Sequence, residues 1–361
     1  MRRQKIHHRA VVIIVAVLFA IVGTYFTWRS LAVAPAASIE VENGSLTPPA
    51  VTINDSAASA GKGVRFGSTT PTPTGCKGAP AVIWCDDFDT FSLSSTSGHR
   101  NWLPSEQGVN DNGHLGGGSY SWEWTPKGTP SLSLWTVANG ALTMKAVRNP
   151  GNLTHGGTPI PNKAVIGACR DKGERPISWI GGTMTTDPAT GGAWTYGYFE
   201  FRARVPVHGK GMFPALWMYR SVDVSHHADA EFDLMEIFGK NGQPWSTTVH
   251  YSGQRDSTDG DRGYGSDTAG WHRYGVDWQA DHIAFFRDGV EYARRTGGEA
   301  QWFNGARMGI RMDYAANPCW DDGAQSDGST PNPLYMEVDY VRAYKNKPAN
   351  FPTGTNDPHG G

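Results

Sequence analysis

The stretch GYFEFRARVPV (Gly197–Val207) alternates without a break. Phe199, Phe201, Ala203 and Val205 fall on one face and Glu200, Arg202 and Arg204 on the other. A period of two is the period of a strand with one face in a core and one outside it. The same reading applies along the chain. AVIWCDDFD reads as a first strand, and SLWTVANGALTMKAV as a hairpin turning at Asn139–Gly140. HIAFFRDGVEYARR reads as a hairpin turning at Asp288–Gly289, and LYMEVDYVRAY as a closing strand. Asn-Gly and Asp-Gly between alternating runs are type I′ turn signals. Helical periodicity is nowhere sustained. With 45 glycines, 14 tryptophans and 18 % charged residues, the pattern predicts an all-β sandwich or barrel.

The ends of the chain read differently. MRRQKIHHR is basic, and the next 19 residues, Ala10–Trp28, carry no charge. A helix of that length, at ~1.5 Å per residue, just covers a bilayer core of ~30 Å. Small residues follow (Ala32–Ser38), so residues 1–37 read as a signal peptide or an uncleaved signal-anchor. Either way the rest of the chain is sent out of the cytoplasm, secreted or held at the cell surface. Residues 38–75 read as a linker or stalk with room for a local hairpin, and 76–345 as the folded domain. The Pro- and Gly-rich residues 346–361 read as a disordered tail. Export permits disulfides. Four cysteines allow three pairings, of which Cys76–Cys85 and Cys169–Cys319 are favoured. No C-x-x-C spacing supports zinc. Lys plus Arg is 32 and Asp plus Glu is 34, so no global field favours nucleic acid or anionic lipid. Membrane contact is expected only through an uncleaved N-terminal helix, and a monomer is expected.

The segment AEFDLMEIFG (Ala230–Gly239) sets the chemistry. Glu231 and Asp233 share a strand face, with Phe232 and Leu234 opposite. Strict alternation would bury Glu236, which is costly without a partner. One extra residue at Leu234–Met235, a β-bulge, would return Glu236 to the acidic face and Ile237 to the core. Three crowded carboxyls cannot all stay ionised, so at least one must titrate high. The row could be a solvated face, a salt-bridge row opposite Arg202 and Arg204, or a metal site recruiting His226, His227 or Asp229. An aromatic-rich strand just upstream (MFPALWMY) argues against solvation, and the histidines show no recognised ligand spacing. Glycoside hydrolysis suits the row better, because a retaining enzyme needs a nucleophilic carboxylate and a protonated acid close together.

EFDLME resembles the E-x-D-x-x-E signature of glycoside hydrolase family 16, in the laminarinase-like form with the extra residue. SWIGGTMTTDPATGGAWTYGYFEFRARVPVHGKGMFPALWMY, TTVHYSG, WHRYGVDWQADHIAFFRDGVEY and MEVDYVRAY resemble the family's flanking strands, in order. The resemblance covers roughly residues 81–345. It implies a concanavalin-like jelly roll of two curved antiparallel sheets with a glycan cleft, and a polysaccharide as partner. It implies Glu231 as nucleophile, Glu236 as general acid/base and Asp233 as the helper between them. It implies Glu200, Arg202, Trp217, His250 and Trp194 as cleft residues. No cofactor is required, although Asp339 matches a position that helps to bind structural calcium in some relatives.

The implied activity is internal cleavage of a β-linked polysaccharide, with β-1,3-glucan first. An agar-type galactan, a bacterial exopolysaccharide and transglycosylation are the rival chemistries. A glycan-binding protein without catalysis shares the fold but has no need for three crowded acids. A structural wall protein would draw only on the anchor and stalk. The sequence departs from the family at HHADA, at Asn110–Trp124 and at IRMDYAANPCWDDGAQSDGSTPN. These segments are expected to be loops walling the cleft.

Overall fold

The structure is a computed structural model. It describes residues 50–54, 62–66, 79, 81–89, 101–104, 114–115, 121–124, 134–155, 158–164, 173–239, 245–259, 267–318, 325–349 and 351–358. The chain divides into two compact units, residues 1–69 and 70–361. In the first, Ala50–Asn54 pairs antiparallel with Lys62–Phe66, the hairpin expected within the spacer. The apolar run Ala10–Trp28 lies outside the described residues. Among the described residues no helix is long and apolar enough to cross a membrane.

The second unit is built of strands. In chain order the main ones are β1 (Val82–Asp86), β2 (Trp135–Ala138), β3 (Ala141–Arg148), β4 (Trp179–Thr186), β5 (Gly197–Arg204), β6 (Met212–Arg220) and β7 (Glu231–Glu236). They continue with β8 (Ser246–Tyr251), β9 (Gln254–Asp259), β10 (His272–Trp278), β11 (His282–Arg287), β12 (Val290–Thr296), β13 (Met308–Ala316) and β14 (Leu334–Tyr344). One layer runs β4-β13-β6-β7-β8-β9 and the other β12-β11-β10-β5-β14, with β1 and β3 beyond β14. Pairing of β3 with β4 joins the layers, and the hydrogen bonding closes into a ring.

The core lies between the layers. Phe199, Phe201, Val276, Phe285, Met336 and Val338 face it from one side. Leu216, Met218, Phe232, Leu234, Ile310 and Met312 face it from the other. Alternation along each strand puts these residues inside and leaves the next ones outward. The two hairpin turns form as expected. Asn139 and Gly140 have φ 54° and 68°, and Asp288 and Gly289 have 52° and 79°, the left-handed pair that a type I′ turn requires.

Contact between β4 and β13 is unusually close. A Cβ on Gly181 would stand 2.1 Å from the Tyr314 carbonyl oxygen, and neither backbone can withdraw without breaking the sheet. Gly181→Ala is expected to lower stability by about 1–3 kcal/mol, the usual cost of overpacking, as measured by thermal unfolding.

Two expectations change here. The tail is not disordered over residues 351–358. Phe351 is buried against Tyr198 and Tyr344, with ring centroids 5.6 and 5.8 Å away. Arg273 Nε donates to the Gly354 carbonyl at 2.9 Å, and Arg202 Nε to the Thr355 carbonyl at 2.8 Å. Asp357 Oδ1 lies 2.7 Å from Arg342 Nη1. A Pro/Gly-rich segment has no core of its own, but here it supplies acceptors to arginines on the outer face of β5, β10 and β14. Second, IRMDYAA is not a loop. It belongs to β13, in the middle of the cleft layer. On the cysteines, Cys85 is disulfide-bonded. The other three, and with them the expected pairings Cys76–Cys85 and Cys169–Cys319, fall outside the described residues.

Candidate active site

The acids of β7 stand on the outward face of the first layer. Across β8, Glu231 faces His250 and Asp233 faces Thr248, but Glu236 faces Ser246. Three residues therefore span the distance that two span on the partner strand. On the other side, Trp217 faces Asp233 and Leu216 faces Met235, which leaves Leu234 as the extra residue. The bulge lies where the sequence required one. Phe232, Leu234, Met235 and Ile237 are buried in the core, while Glu231 and Glu236 stay partly exposed. Core packing on one face thus fixes the spacing of carboxyls on the other.

His250 Nε2 lies 3.1 Å from Asp233 Oδ2 and 3.3 Å from Glu231 Oε1. The imidazole bridges the two carboxylates, and its side chain keeps about a third of its surface open. Trp217 and Tyr219 flank the acids from β6, with ring centroids 5.7 Å apart. Alternation turns both to the acidic face, since Leu216 and Met218 fill the core.

Three neighbours were not foreseen. Asp313 Oδ1 accepts the Trp217 indole N–H at 2.7 Å. The Arg311 guanidinium lies 5.2 Å from the Trp217 ring and 4.5 Å from the Tyr219 ring. Thr248, buried, stands opposite Asp233. The signal for the first two was present in GIRMDYA: Ile310, Met312 and Tyr314 alternate with Arg311 and Asp313. Asp313→Ala should free the indole. The expected result is a KM raised about tenfold, some 1.4 kcal/mol, with kcat less affected, in steady-state kinetics on the substrate proposed below.

Other expected cleft residues lie elsewhere. Glu200 is 1 % exposed on the outward face of the second layer, across the core from the acids. It accepts hydrogen bonds from Tyr340 at 2.6 Å and Tyr198 at 2.7 Å, and Arg273 stands 3.5 Å away. Burial pushes its carboxyl above the usual carboxylate range, against the opposing pull of Arg273 and the two hydroxyls. Arg202 is on the same outward face, over the Trp271 ring. The non-core face of β5 was read correctly, but it is not the cleft. Trp194, partly buried, packs against the core between Trp84 and Phe199, at 5.7 and 5.2 Å. Asp339 is engaged by Arg202 at 2.7 Å. A calcium ion at Asp339 would have to compete with this guanidinium for the carboxylate.

The HHADA segment caps the Glu231 end of β7. His226 Nε2 lies 3.1 Å from the Gly305 carbonyl, and His227 packs edge-on against Trp302 at 4.9 Å. Tyr219 donates to the Ala228 carbonyl at 2.9 Å, and the Gly253 N–H donates to Asp229 at 2.9 Å.

A two-layer β fold with a bulged strand presenting Glu-x-Asp-x-x-Glu beside aromatic rings is an arrangement suited to carbohydrate chemistry by paired carboxyls. The sequence matches Glycosyl hydrolases family 16 over residues 172–342. It is 30% identical over 207 residues to a glucan endo-1,3-beta-glucosidase of Cryptopygus antarcticus, covering 50% of this chain and 74% of that protein. It is 27% identical over 290 residues to glucan endo-1,3-beta-glucosidase A1 of Niallia circulans, covering 73% of this chain and 38% of that one. The catalytic domain of an endo-1,3-beta-glucanase (laminarinase) from Thermotoga petrophila RKU-1 superposes with a TM-score of 0.52 at 20% identity, over 74% of this chain and 98% of that one. The chain belongs to glycoside hydrolase family 16. It spans 38 to 58% of the length of the first four curated relatives it matches.

Proposed function

We propose that this protein is an exported retaining glycoside hydrolase that cuts internal linkages of a β-glucan, with β-1,3-glucan as the preferred polymer. The observation that carries the reading is the acidic face of β7, where a bulge brings Glu236 onto the side of Glu231 and Asp233. The names of the similar proteins, among them an endo-1,3-1,4-beta-glycanase of Rhizobium meliloti (strain 1021), support an endo-acting β-glucanase.

In the proposed cycle Glu231 attacks the anomeric carbon as the glycosidic C–O bond breaks, and Glu236 gives its proton to the leaving oxygen. A glycosyl ester of Glu231 results. Glu236, now a carboxylate, takes a proton from water as that water attacks the same carbon and the bond to Glu231 breaks, which frees the Glu231 carboxylate and retains the anomeric configuration. His250 and Asp233 hold the Glu231 carboxylate in position. Trp217 offers a flat apolar ring for a sugar face. Export is supported by the basic N-terminus followed by Ala10–Trp28.

The test is reducing-end release by the full chain from a panel of β-1,3-glucan, mixed-linkage glucan, agar and a bacterial exopolysaccharide, with Glu231→Gln as control. Release from the β-glucans, absent in the variant, is expected. Release only from agar or the exopolysaccharide would overturn the substrate. Binding of β-glucan without any release would overturn the enzyme reading in favour of a lectin.

A further inference from the structure

We propose that the floor of the cleft is also a zinc site, in which Glu231, Asp233 and His250 hold one Zn²⁺ and thereby close the site to glycan. The inhibitory consequence rests on the functional reading above; the metal site itself does not.

Among the described residues this is the one group of His, Cys, Asp and Glu side chains whose ligand atoms come close enough to share an ion, all within 4.8 Å of one another. The spacing suits zinc. With bonds of ~2.0–2.2 Å, two ligands of a tetrahedral zinc stand about 3.3–3.6 Å apart. The His250 Nε2 to Glu231 Oε1 and His250 Nε2 to Asp233 Oδ2 distances are 3.3 and 3.1 Å. These two pairs need to move by only a few tenths of an ångström, and the third pair, Glu231 with Asp233, lies within 4.8 Å.

The ligands are also pre-arranged. Glu231 and His250 are directly opposite on paired strands, and Asp233 is the next residue on the same face. The bulge begins only after Asp233, so it does not loosen this part of the face. The Glu231 and His250 side chains remain 23% and 32% exposed, which leaves a water access to the fourth position.

Charge and donor type select the metal. Two carboxylates oppose the dipositive ion, and the imidazole nitrogen favours zinc over calcium or magnesium, which prefer oxygen alone. Zinc takes the position between the imidazole and the carboxylates, so His250 must present Nε2 without a proton and carry its remaining proton on Nδ1. Zinc draws on the charge of the Glu231 carboxylate that would attack an anomeric carbon, and the ion fills space that a sugar ring would need. Zinc and glycan therefore exclude each other. His226 and His227, the histidines nearest in sequence, take no part: they are turned to Gly305 and Trp302.

The test is calorimetric titration of the chelator-treated full chain with zinc chloride, which requires no turnover. Wild type is expected to bind one more zinc per chain than His250→Ala, and Asp233→Asn to weaken that site at least tenfold. A His226→Ala/His227→Ala double variant should keep the wild-type isotherm, and calcium chloride should give no matching site. Equal zinc uptake by wild type and His250→Ala would overturn the proposal, as would calcium bound as tightly as zinc. Active enzyme with no zinc uptake at this site would remove the metal proposal and leave the hydrolase. Zinc uptake by a protein that cleaves no glycan would do the reverse.

Discussion

Glu231→Gln is expected to lower kcat on β-1,3-glucan by at least ~10³-fold, the scale on which removal of a nucleophile is felt, while the melting temperature changes little. An amide keeps the size and two polar atoms of the carboxylate but cannot form the glycosyl ester. Glu231 is partly exposed on the outward face, and it is Phe232 and Leu234 beside it that hold the strand in the core. Chemistry and stability therefore separate at this position. Glu236→Gln should differ in kind. Its loss removes the proton donor, so the natural polymer suffers most. An aryl glycoside with an acidic leaving group needs no such proton and should keep much of its glycosylation rate. Equal loss on both substrates, measured by burst kinetics, would contradict the assignment of nucleophile and acid.

Glu200→Ala is expected to show the opposite separation. The variant leaves Arg273, itself 1 % exposed, without its carboxylate, and strips two tyrosine hydroxyls of their acceptor. Removing one partner of a buried ion pair costs about 3–5 kcal/mol. In a domain of this size that is roughly 6–20 °C of melting temperature, at 2–4 °C per kcal/mol. KM and kcat of the surviving folded enzyme should stay near wild type, because Glu200 and the acids of β7 lie on outward faces of opposite layers. A raised KM with unchanged stability would return Glu200 to the cleft.

The pH dependence gives a further check. Burial raises the folded-state pKa of Glu200, so the native state binds this proton more tightly than the unfolded chain does. Stability from this group is greatest at low pH and declines as pH rises from the unfolded value, about 4.3, through the higher folded one. Glu200→Gln carries no such proton. The wild-type minus variant difference in unfolding free energy should accordingly fall across that window.

Why some of this was legible in the sequence, and some not, follows from the range of the interactions. The bulge could be placed because a buried unpaired Glu236 would be costly, and that cost is visible in six consecutive residues. The turns at Asn139–Gly140 and Asp288–Gly289 are equally local. Alternation also told correctly which side of β5 is apolar. It could not tell whether the other side faced glycan or the protein's own C-terminal segment, since that depends on which layer β5 joins. Glu200 and Arg202 were assigned to the wrong face of the molecule for this reason. The tail was misread on the same ground: its order comes from Arg202, Arg273 and Arg342, distant in sequence and silent about their partners. Arg311 and Asp313 alternate with Ile310, Met312 and Tyr314, but the Pro/Gly-rich stretch that follows makes the segment look like a loop, and nothing local shows that it joins the acidic layer.

The most direct measurement is proton NMR of the anomeric region during cleavage of a β-1,3-glucan oligosaccharide by the full chain. If Glu231 forms a glycosyl ester that water opens through Glu236, the β-anomer of the new reducing end appears first, and the α-anomer grows in only at the rate of mutarotation. Initial release of the α-anomer would mean a single inverting displacement. In that case Glu231 would not be the nucleophile, and the account of the acidic face of β7 would be wrong.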